Sequence, residues 1–174
     1  MTPGHFDAPG AIPLNDESDY GLCFACGQQN ANGLHLTFER QGDQIVTRYK
    51  GGEDHQGFPG FLHGAVITAL VDEVMSRIPV LENRWGMSAR LDIRFRLPIA
   101  INQLVTATAE KSGRHGNFIT TKGWVTLDDD RVAVEATGSY ALLSEESLDK
   151  MALGFPKLAA TWKAGGDPLP EATC

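Results

Sequence analysis

The stretch FLHGAVITALVDEVMS, residues 61–76, decides how the rest of the chain must be arranged. Its apolar residues recur at helical spacing, so we predict a mostly apolar helix that opens on His63, Gly64 and Ala65. Pro79 is expected to bend or end this helix. The apolar stripe along it consists of Val66, Ile67, Leu70, Val71, Val74, Met75 and Ile78. A stripe this broad has to be covered by other elements of the chain.

The segments on both sides of the helix have the composition and alternation of strands. Residues 34–40 and 44–50 predict a hairpin that turns at Gln41, Gly42 and Asp43. Four further strands are predicted at 88–98, 103–113, 117–127 and 131–143. The last three are expected to be joined by turns at 114–116 and 128–130. In the strand at 88–98, a period of two predicts that Ala89, Leu91, Ile93, Phe95 and Leu97 face the core.

The order of these elements predicts the fold class. Two strands, one long helix and four strands are joined by connections too short for parallel crossovers. We therefore expect an α+β fold, in which a curled antiparallel sheet of about six strands wraps around one central helix. A chain of 174 residues is the size of one domain. The predicted divisions are an extended lead-in at 1–22, the domain at 23–143, and at 144–174 a short helix from Ser144 with a flexible tail.

Charge and composition argue against several classes of partner. The net charge is −7, with 22 acidic and 15 basic residues, and this repels nucleic acid and anionic membrane surfaces. Neither is expected to bind. The amino terminus has no basic start followed by an apolar run, and no segment is long enough to span a bilayer. The expected location is the cytoplasm.

Three cysteines, Cys23, Cys26 and Cys174, are too few for a disulfide framework. Cys23 and Cys26 form a C-x-x-C motif that would be half of a zinc site or a redox pair. The sequence offers no second pair of ligands at zinc spacing and no thioredoxin-like pattern around the motif. The favoured interpretation is therefore structural, with two small apolar side chains in a packed turn and no metal.

The predicted helix carries two adjacent acids, Asp72 and Glu73, in its second half. On a helical wheel, Asp72 lies opposite the apolar stripe and Glu73 lies nearer the edge of the stripe. The neighbours of Asp72 on its face are all small: Ala65, Thr68, Ala69 and Ser76. An ordinary solvent face is the alternative, but such a face usually carries several long charged side chains. We favour a face that something approaches closely.

The start of the helix has no Ser, Thr or Asp immediately before Gly64 and Ala65. Its first backbone N–H groups are therefore expected to be uncapped and able to bind an oxyanion at the positive end of the helix dipole. Water is the alternative partner for these N–H groups. His63 taken alone is more often structural than catalytic.

Three segments together resemble a known family. They are CFACGQQNANGLHL at 23–36, QGFPGFLHGA at 56–65 and LVDE at 70–73. These segments are similar to those of the hotdog-fold acyl-CoA thioesterases, most closely the phenylacetate-pathway (PaaI-like) type, over residues 23–143. The strand order predicted above is that of the same fold.

The resemblance implies roles for particular residues. Asp72 lies nine positions after the motif histidine His63, where many members have a general base or nucleophile, and Glu73 is the reserve candidate. Gly64 matches the glycine whose N–H polarises the thioester carbonyl. Ser88 matches a hydroxyl residue that helps to hold the attacking water or the acid.

The sequence departs from the family pattern at two places. Ala65 replaces the second motif glycine, which keeps the N–H but adds a methyl group beside the helix start. Relatives often carry Asn or Gln six residues before the motif histidine, where this chain has Gly57. His55 and Gln56, just upstream, are the candidate helpers in positioning water.

The resemblance also implies an acyl-CoA substrate, no cofactor and a shared active site. Gly64 and Asp72 are about 12 Å apart along one helix, so a homodimer, able to assemble further into a tetramer, is expected to combine the helix start of one subunit with the acid of the other. Arg90, Arg94 and Arg114 are the candidate partners of the coenzyme A phosphates. A hydratase or dehydratase acting on acyl thioesters and a non-catalytic acyl-CoA binding module remain open alternatives.

Overall fold

A computed structural model of the protein describes residues 21–152, with side chains to residue 150. The chain forms six strands and two α-helices in this range. The strands are β1 (Glu39–Gln41), β2 (Gln44–Tyr49), β3 (Gly86–Phe95), β4 (Val105–His115), β5 (Phe118–Leu127) and β6 (Val132–Leu142). The helices are α1 (Gly64–Ser76) and α2 (Glu145–Ala152), and short 3-10 helices span Glu53–His55 and Ile78–Glu82.

The six strands form one sheet in the order β1-β2-β4-β5-β6-β3, with every neighbouring pair antiparallel. The sheet curls around α1, which contacts β2, β3, β4, β5 and β6. β3 is an edge strand because it pairs with β6 alone among the described strands. The predicted α+β architecture, a curled sheet around one central helix, is confirmed.

The core lies between α1 and the concave face of the sheet. The predicted apolar stripe of α1 is buried throughout, and Ile78 is buried just beyond the helix. Two glycines let the helix approach the sheet closely. A Cβ atom added to Gly123 or Gly138 would lie 2.6 Å or 2.7 Å from side-chain atoms of Met75. A larger residue at either position on β5 or β6 would therefore force the Met75 side chain to shift.

The first strand starts later than predicted. Leu34 and Leu36 are buried as their alternation suggested, but the run at 34–38 is not part of the sheet and β1 begins at Glu39. The N–H groups of Leu34 and Leu36 are bonded to the carbonyl oxygens of Phe24 and Ala25. Because these backbone N–H groups are bonded to the preceding turn, they are not available to pair with a strand of the sheet.

Two further predictions about the strands need correction. Strand β4 continues to His115, so Arg114 lies on a strand and not in the turn before β5. In β3, Leu91 and Ile93 pack partly buried against the core, whereas Ala89 and Phe95 are exposed. An edge strand has a neighbour on one side alone, so its inward side chains are covered less completely.

The helix ends agree with the sequence more closely. α1 starts at Gly64 and ends at Ser76, and Pro79 lies in the 3-10 helix that follows. α2 begins at Glu145, where the Ser144 hydroxyl accepts a hydrogen bond from the Ser147 N–H. No helix among residues 21–152 has both the length and the apolarity to cross a membrane. The lead-in before residue 21, the predicted flexible tail and Cys174 lie outside the described residues, and the domain divisions and the cytoplasmic location stay predictions.

Candidate active site

Asp72 lies at the centre of a small hydrogen-bonded cluster. Its Oδ1 atom accepts one hydrogen bond from the Ser88 hydroxyl at 2.9 Å and another from the Tyr140 hydroxyl at 2.8 Å. Its Oδ2 atom has no hydrogen-bond partner among the described residues. The side chain is half-buried, with small residues around it on α1. One carboxylate oxygen is thus held in place, while the other is available.

A β-bulge brings Ser88 to this cluster. The register of β3 against β6 shifts between Ser88 and Arg90, so that Ser88 lies opposite Tyr140. Regular alternation would have put Ser88 on the same face as Arg90, which points away from the helix. The extra residue, Ala89, reverses the side on which Ser88 projects. The predicted partnership of Ser88 with Asp72 therefore depends on a bulge that the sequence pattern did not reveal.

Tyr140 was missed by the sequence analysis. It is fully buried on β6, and its hydroxyl also lies 3.3 Å from the backbone carbonyl oxygen of Asp72. Burial, together with the negative charge of Asp72, raises the pKa of Tyr140 well above its ordinary value. The phenol stays protonated at neutral pH and donates to the carboxylate. A buried tyrosine needs a partner for its hydroxyl, but the sequence does not say which one.

Glu73 points to a different part of the molecule. Its carboxylate accepts a hydrogen bond from the buried Arg77 guanidinium at 2.8 Å. The same guanidinium nitrogen lies 3.2 Å from the sulfur of Cys26, and the group sits 4.7 Å from the centre of the Phe38 ring. Glu73 is therefore engaged in packing α1 against the Cys-Phe-Ala-Cys turn, away from Asp72.

The start of α1 differs from the expectation of an uncapped end. The imidazole Nδ1 of His63 accepts a hydrogen bond from the Ala65 N–H at 2.9 Å, so His63 is the N-cap. The uncapped prediction was wrong because an imidazole nitrogen can serve as the acceptor. The N–H of Gly64 has no acceptor among the described residues, and Gly64 is exposed. The Phe95 ring covers one side of Gly64, 3.8 Å from where a Cβ atom would lie.

The candidate helpers in the loop before α1 bind within that loop. His55 Nδ1 lies 2.8 Å from the Tyr49 hydroxyl, and the Gln56 side-chain oxygen accepts from the Gly60 N–H at 3.1 Å. A Cβ atom on Gly57 would lie 3.1 Å from the Cα atom of His63. The loop therefore has little room for the Asn or Gln that relatives often carry at this position. The structure does not bring His55 or Gln56 into contact with Asp72.

The three candidate arginines lie in different surroundings. Arg114 lies 3.7 Å from the carboxylate of Glu82. Arg94 lines a wide surface pocket with Lys122 and Trp124, and Arg90 is exposed on β3. Their predicted role toward phosphates stays a prediction.

The hydroxyl groups of the small residues around Asp72 are bonded to backbone carbonyl groups of α1. Thr68 donates its hydroxyl to the Gly64 carbonyl oxygen at 2.9 Å, and Ser76 donates to that of Glu73 at 2.8 Å. Ala65 is exposed at the helix start. No long side chain projects from this face of α1, which leaves the approach to Asp72 open.

One group of side chains in the described part of the chain has the proximity of metal ligands. The sulfurs of Cys23 and Cys26 and a carboxylate oxygen of Glu73 lie within 4.8 Å of one another. A structural zinc ion takes four ligands, and this group offers three. Arg77, a buried cation, is already bonded to Cys26 and Glu73. The group is thus a poor fit to a metal ion.

Comparison with known proteins identifies the fold. No protein-family model matches the chain. A human acyl-coenzyme A thioesterase, THEM5, is 28% identical over 103 residues, which cover 58% of this chain and 42% of the relative. A solved thioesterase superfamily protein is 28% identical with a TM-score of 0.63, covering 66% of this chain and 60% of that one.

A third similar protein, a hypothetical thioesterase from Streptococcus pneumoniae TIGR4, was crystallised with coenzyme A. It is 14% identical, with a TM-score of 0.59 over 63% of this chain and 89% of that one. The same protein was crystallised with an aspartate replaced by alanine and, separately, with a threonine replaced by alanine.

The protein described here therefore has the hotdog fold. Its resemblance to the hotdog-fold acyl-CoA thioesterases is confirmed by the curated relatives and by the solved structures. The matched region spans less than half of the human relative.

Proposed function

We propose that this protein hydrolyses acyl-CoA thioesters and that Asp72 is the general base or the nucleophile. The observation that carries the proposal is the asymmetry of the Asp72 carboxylate. Ser88 and Tyr140 donate to Oδ1, whereas Oδ2 has no partner among the described residues. A carboxylate fixed at one oxygen can present the other to a water molecule or to a carbonyl carbon with little loss of freedom.

The start of α1 supplies the second requirement of the reaction. Attack on a thioester places negative charge on the carbonyl oxygen, which needs preorganised hydrogen-bond donors. The Gly64 N–H is exposed, has no acceptor among the described residues and lies at the positive end of the helix dipole. We assign it the role of polarising the substrate carbonyl. His63 accepts the next N–H, that of Ala65, and leaves the Gly64 N–H available.

The similar Streptococcus pneumoniae thioesterase supports the pairing of Asp72 with Ser88. Its two alanine substitutions replace an aspartate and a threonine that lie 16 residues apart. Asp72 and Ser88 are separated by the same 16 residues and are joined by a hydrogen bond. An acid followed by a hydroxyl residue at this spacing fits a helix acid bonded to the next strand.

We further propose that the active site is shared between two subunits of a homodimer. Gly64 and Asp72 are eight residues apart on one α-helix, about 12 Å along its axis. That distance is too long for both to act on one carbonyl group. Strand β3 is an edge whose Met87 and Phe95 are 59% and 52% exposed. Apolar side chains on an unpaired edge favour pairing with a second copy.

The shared site can be tested by mixing two inactive variants. Asp72→Asn removes the acid, and Gly64→Pro removes the N–H. Proline is tolerated at the first position of a helix, and His63, at φ −67° and ψ 138°, has the conformation that a residue before proline prefers. After joint refolding, half of the dimers are mixed and each holds one intact site, so about a quarter of wild-type activity should return. No recovery from a mixture shown to contain mixed dimers would contradict sharing.

The activity itself is tested by measuring release of free coenzyme A with a thiol-reactive dye, over short, long and aromatic acyl-CoAs. We expect turnover of at least one class at rates ordinary for enzymes, on the order of 1 per second or more. Tight binding without thiol release would indicate a binding module. Hydration of an enoyl-CoA without thiol release would indicate a hydratase. Either result would overturn the proposed hydrolysis.

A further inference from the structure

The Cys23–Cys26 turn has a geometry that simple packing does not require. The Gly27 N–H donates to the Cys23 carbonyl oxygen at 3.0 Å, which closes the turn. A Cβ atom on Gly27 would lie 2.4 Å from the Cys23 nitrogen, so the turn is too tight for any other residue. The two sulfurs lie within 4.8 Å of each other. Cys26 is fully buried, and Cys23 is half-buried.

The environment favours a thiolate at Cys23. The Cys26 thiol donates a hydrogen bond to the Cys23 sulfur, and the backbone N–H groups of Cys26 and Ala25 donate to it as well. These donors lower the pKa of Cys23 to about 6, against the opposing effects of burial and of the negative charge of Glu73. The pKa of Cys26 is raised, since its proton is shared with Cys23 and the side chain is buried. Cys23 is thus the thiol that ionises more readily and can act as a nucleophile, whereas Cys26 stays protonated.

The charges around the pair oppose a metal ion. The Arg77 guanidinium bonds both the Cys26 sulfur and the Glu73 carboxylate, at 3.2 Å and 2.8 Å. A divalent cation bound to Cys23, Cys26 and Glu73 would have to displace this buried cation. The positive charge of Arg77 acts on Cys26, where it opposes in part the rise in the pKa of that thiol.

We propose that Cys23 and Cys26 form a redox-active dithiol that closes reversibly to an intramolecular disulfide by exchange with a small-molecule disulfide. Cys23 is the attacking residue and Cys26 the resolving residue. The proposal rests on the described turn alone and is independent of the proposed thioesterase activity.

The exchange proceeds in two balanced steps. The Cys23 thiolate attacks one sulfur of the small disulfide, forming a mixed disulfide and releasing one small thiolate. Cys26 then loses its proton to solvent, and its thiolate attacks the Cys23 sulfur. This forms the Cys23–Cys26 bond and releases the second small thiolate. The two cysteines are oxidised by two electrons, and the small disulfide is reduced to two thiols.

The exchange can be tested on the full chain in a Cys174→Ser background, which leaves the pair as the only thiols. Reduced protein is incubated with oxidised glutathione, quenched with acid and an alkylating agent, and analysed by mass spectrometry. We expect a product that has lost two hydrogens and takes up no alkylating agent. Cys26→Ala should stop at the first step and carry one glutathione on Cys23, whereas Cys23→Ser should not react at Cys26 while folded.

A second measurement keeps the test independent of folding defects in these variants. The rate of alkylation of Cys23 is followed against pH, with circular dichroism confirming the fold. We expect a midpoint near pH 6 when Cys26 is present and a higher midpoint in Cys26→Ala. At pH 5.5 the variant should alkylate about tenfold more slowly, because the loss of thiolate outweighs the gain in nucleophilicity.

Three results would overturn the proposal. One is folded protein in which oxidised glutathione leaves both thiols free. Another is a mixed disulfide that persists at Cys23 although Cys26 is present. The third is one zinc ion per chain in protein purified without added metal, lost on Cys23→Ser, which would make the turn a metal site.

Discussion

Asp72 and Glu73 are adjacent acids of the same helix, yet they lie in two unrelated environments. Asp72 faces β3 and β6, where two hydroxyl groups bind one of its oxygens. Glu73 faces the amino-terminal turn, where the buried Arg77 guanidinium binds it. A step of one residue rotates a side chain by about 100° around a helix, which is enough to send the two carboxylates to different neighbours.

The environment of Asp72 suits a role in the reaction, and that of Glu73 suits a role in the stability of the fold. Neutral hydroxyl donors orient a carboxylate and leave it able to accept a proton or attack a carbonyl. A salt bridge to a buried arginine ties a carboxylate to one structural partner, and breaking it leaves an uncompensated charge. We therefore expect changes at Asp72 to affect turnover and changes at Glu73 to affect unfolding.

Asp72→Asn is expected to have the largest effect. The substitution removes the charge and basicity while keeping the size of the side chain, so turnover of the best acyl-CoA should fall by about 100-fold to 10,000-fold. Substrate affinity should change much less. Steady-state kinetics with circular dichroism as a check on folding measure this. Near-normal turnover in a folded variant would contradict the assignment of Asp72.

Gly64→Pro should lower turnover by about 100-fold to 1,000-fold, because it removes one oxyanion donor. Gly64→Ala is the matched control, since it keeps the N–H and its Cβ atom would meet the Phe95 ring at an ordinary 3.8 Å. If both variants lose activity equally, space beside Phe95 and not the N–H is what matters at this position. Kinetics on both variants at equal helix content distinguish the two.

Tyr140→Phe should lower turnover roughly tenfold, because Asp72 loses one of its two orienting hydrogen bonds. The buried ring is retained, so packing changes little. Tyr49→Phe is the control, because the hydroxyl of that tyrosine binds His55 and not Asp72. Equal losses in both variants would show a general effect of removing a buried hydroxyl.

Glu73→Gln should have the smallest effect on turnover, within about twofold, because Glu73 does not contact Asp72's partners. Its effect should appear in stability. The free energy of unfolding should fall by about 1–3 kcal/mol, because Arg77 loses its charged partner at a buried position. Denaturant unfolding of the variant and of Asp72→Asn would show the contrast. If Glu73→Gln abolishes turnover in a folded protein, the catalytic acid is Glu73 and not Asp72.

The strengths and failures of the sequence analysis follow from the range of the interactions involved. The apolar stripe of α1 and the strands β4 to β6 were predictable because each is a local pattern with a fixed period. The start of β1 was missed because the backbone of Leu34 and Leu36 is bonded to a turn about ten residues earlier. The cap at His63 was missed because an imidazole acceptor is not among the usual capping residues.

The sequence by itself determined the helix, its buried stripe, the placement of Asp72 on the opposite face and the antiparallel strands around the helix. Each of these follows from the periodicity of residues close together in the sequence. Tertiary structure alone decided which groups form hydrogen bonds with Asp72. The bulge at Ala89 turns Ser88 inward, and Tyr140 reaches Asp72 from a strand 68 residues further along the chain. Hydrogen bonds between distant segments depend on strand register and on the curl of the sheet, which are properties of the assembled core.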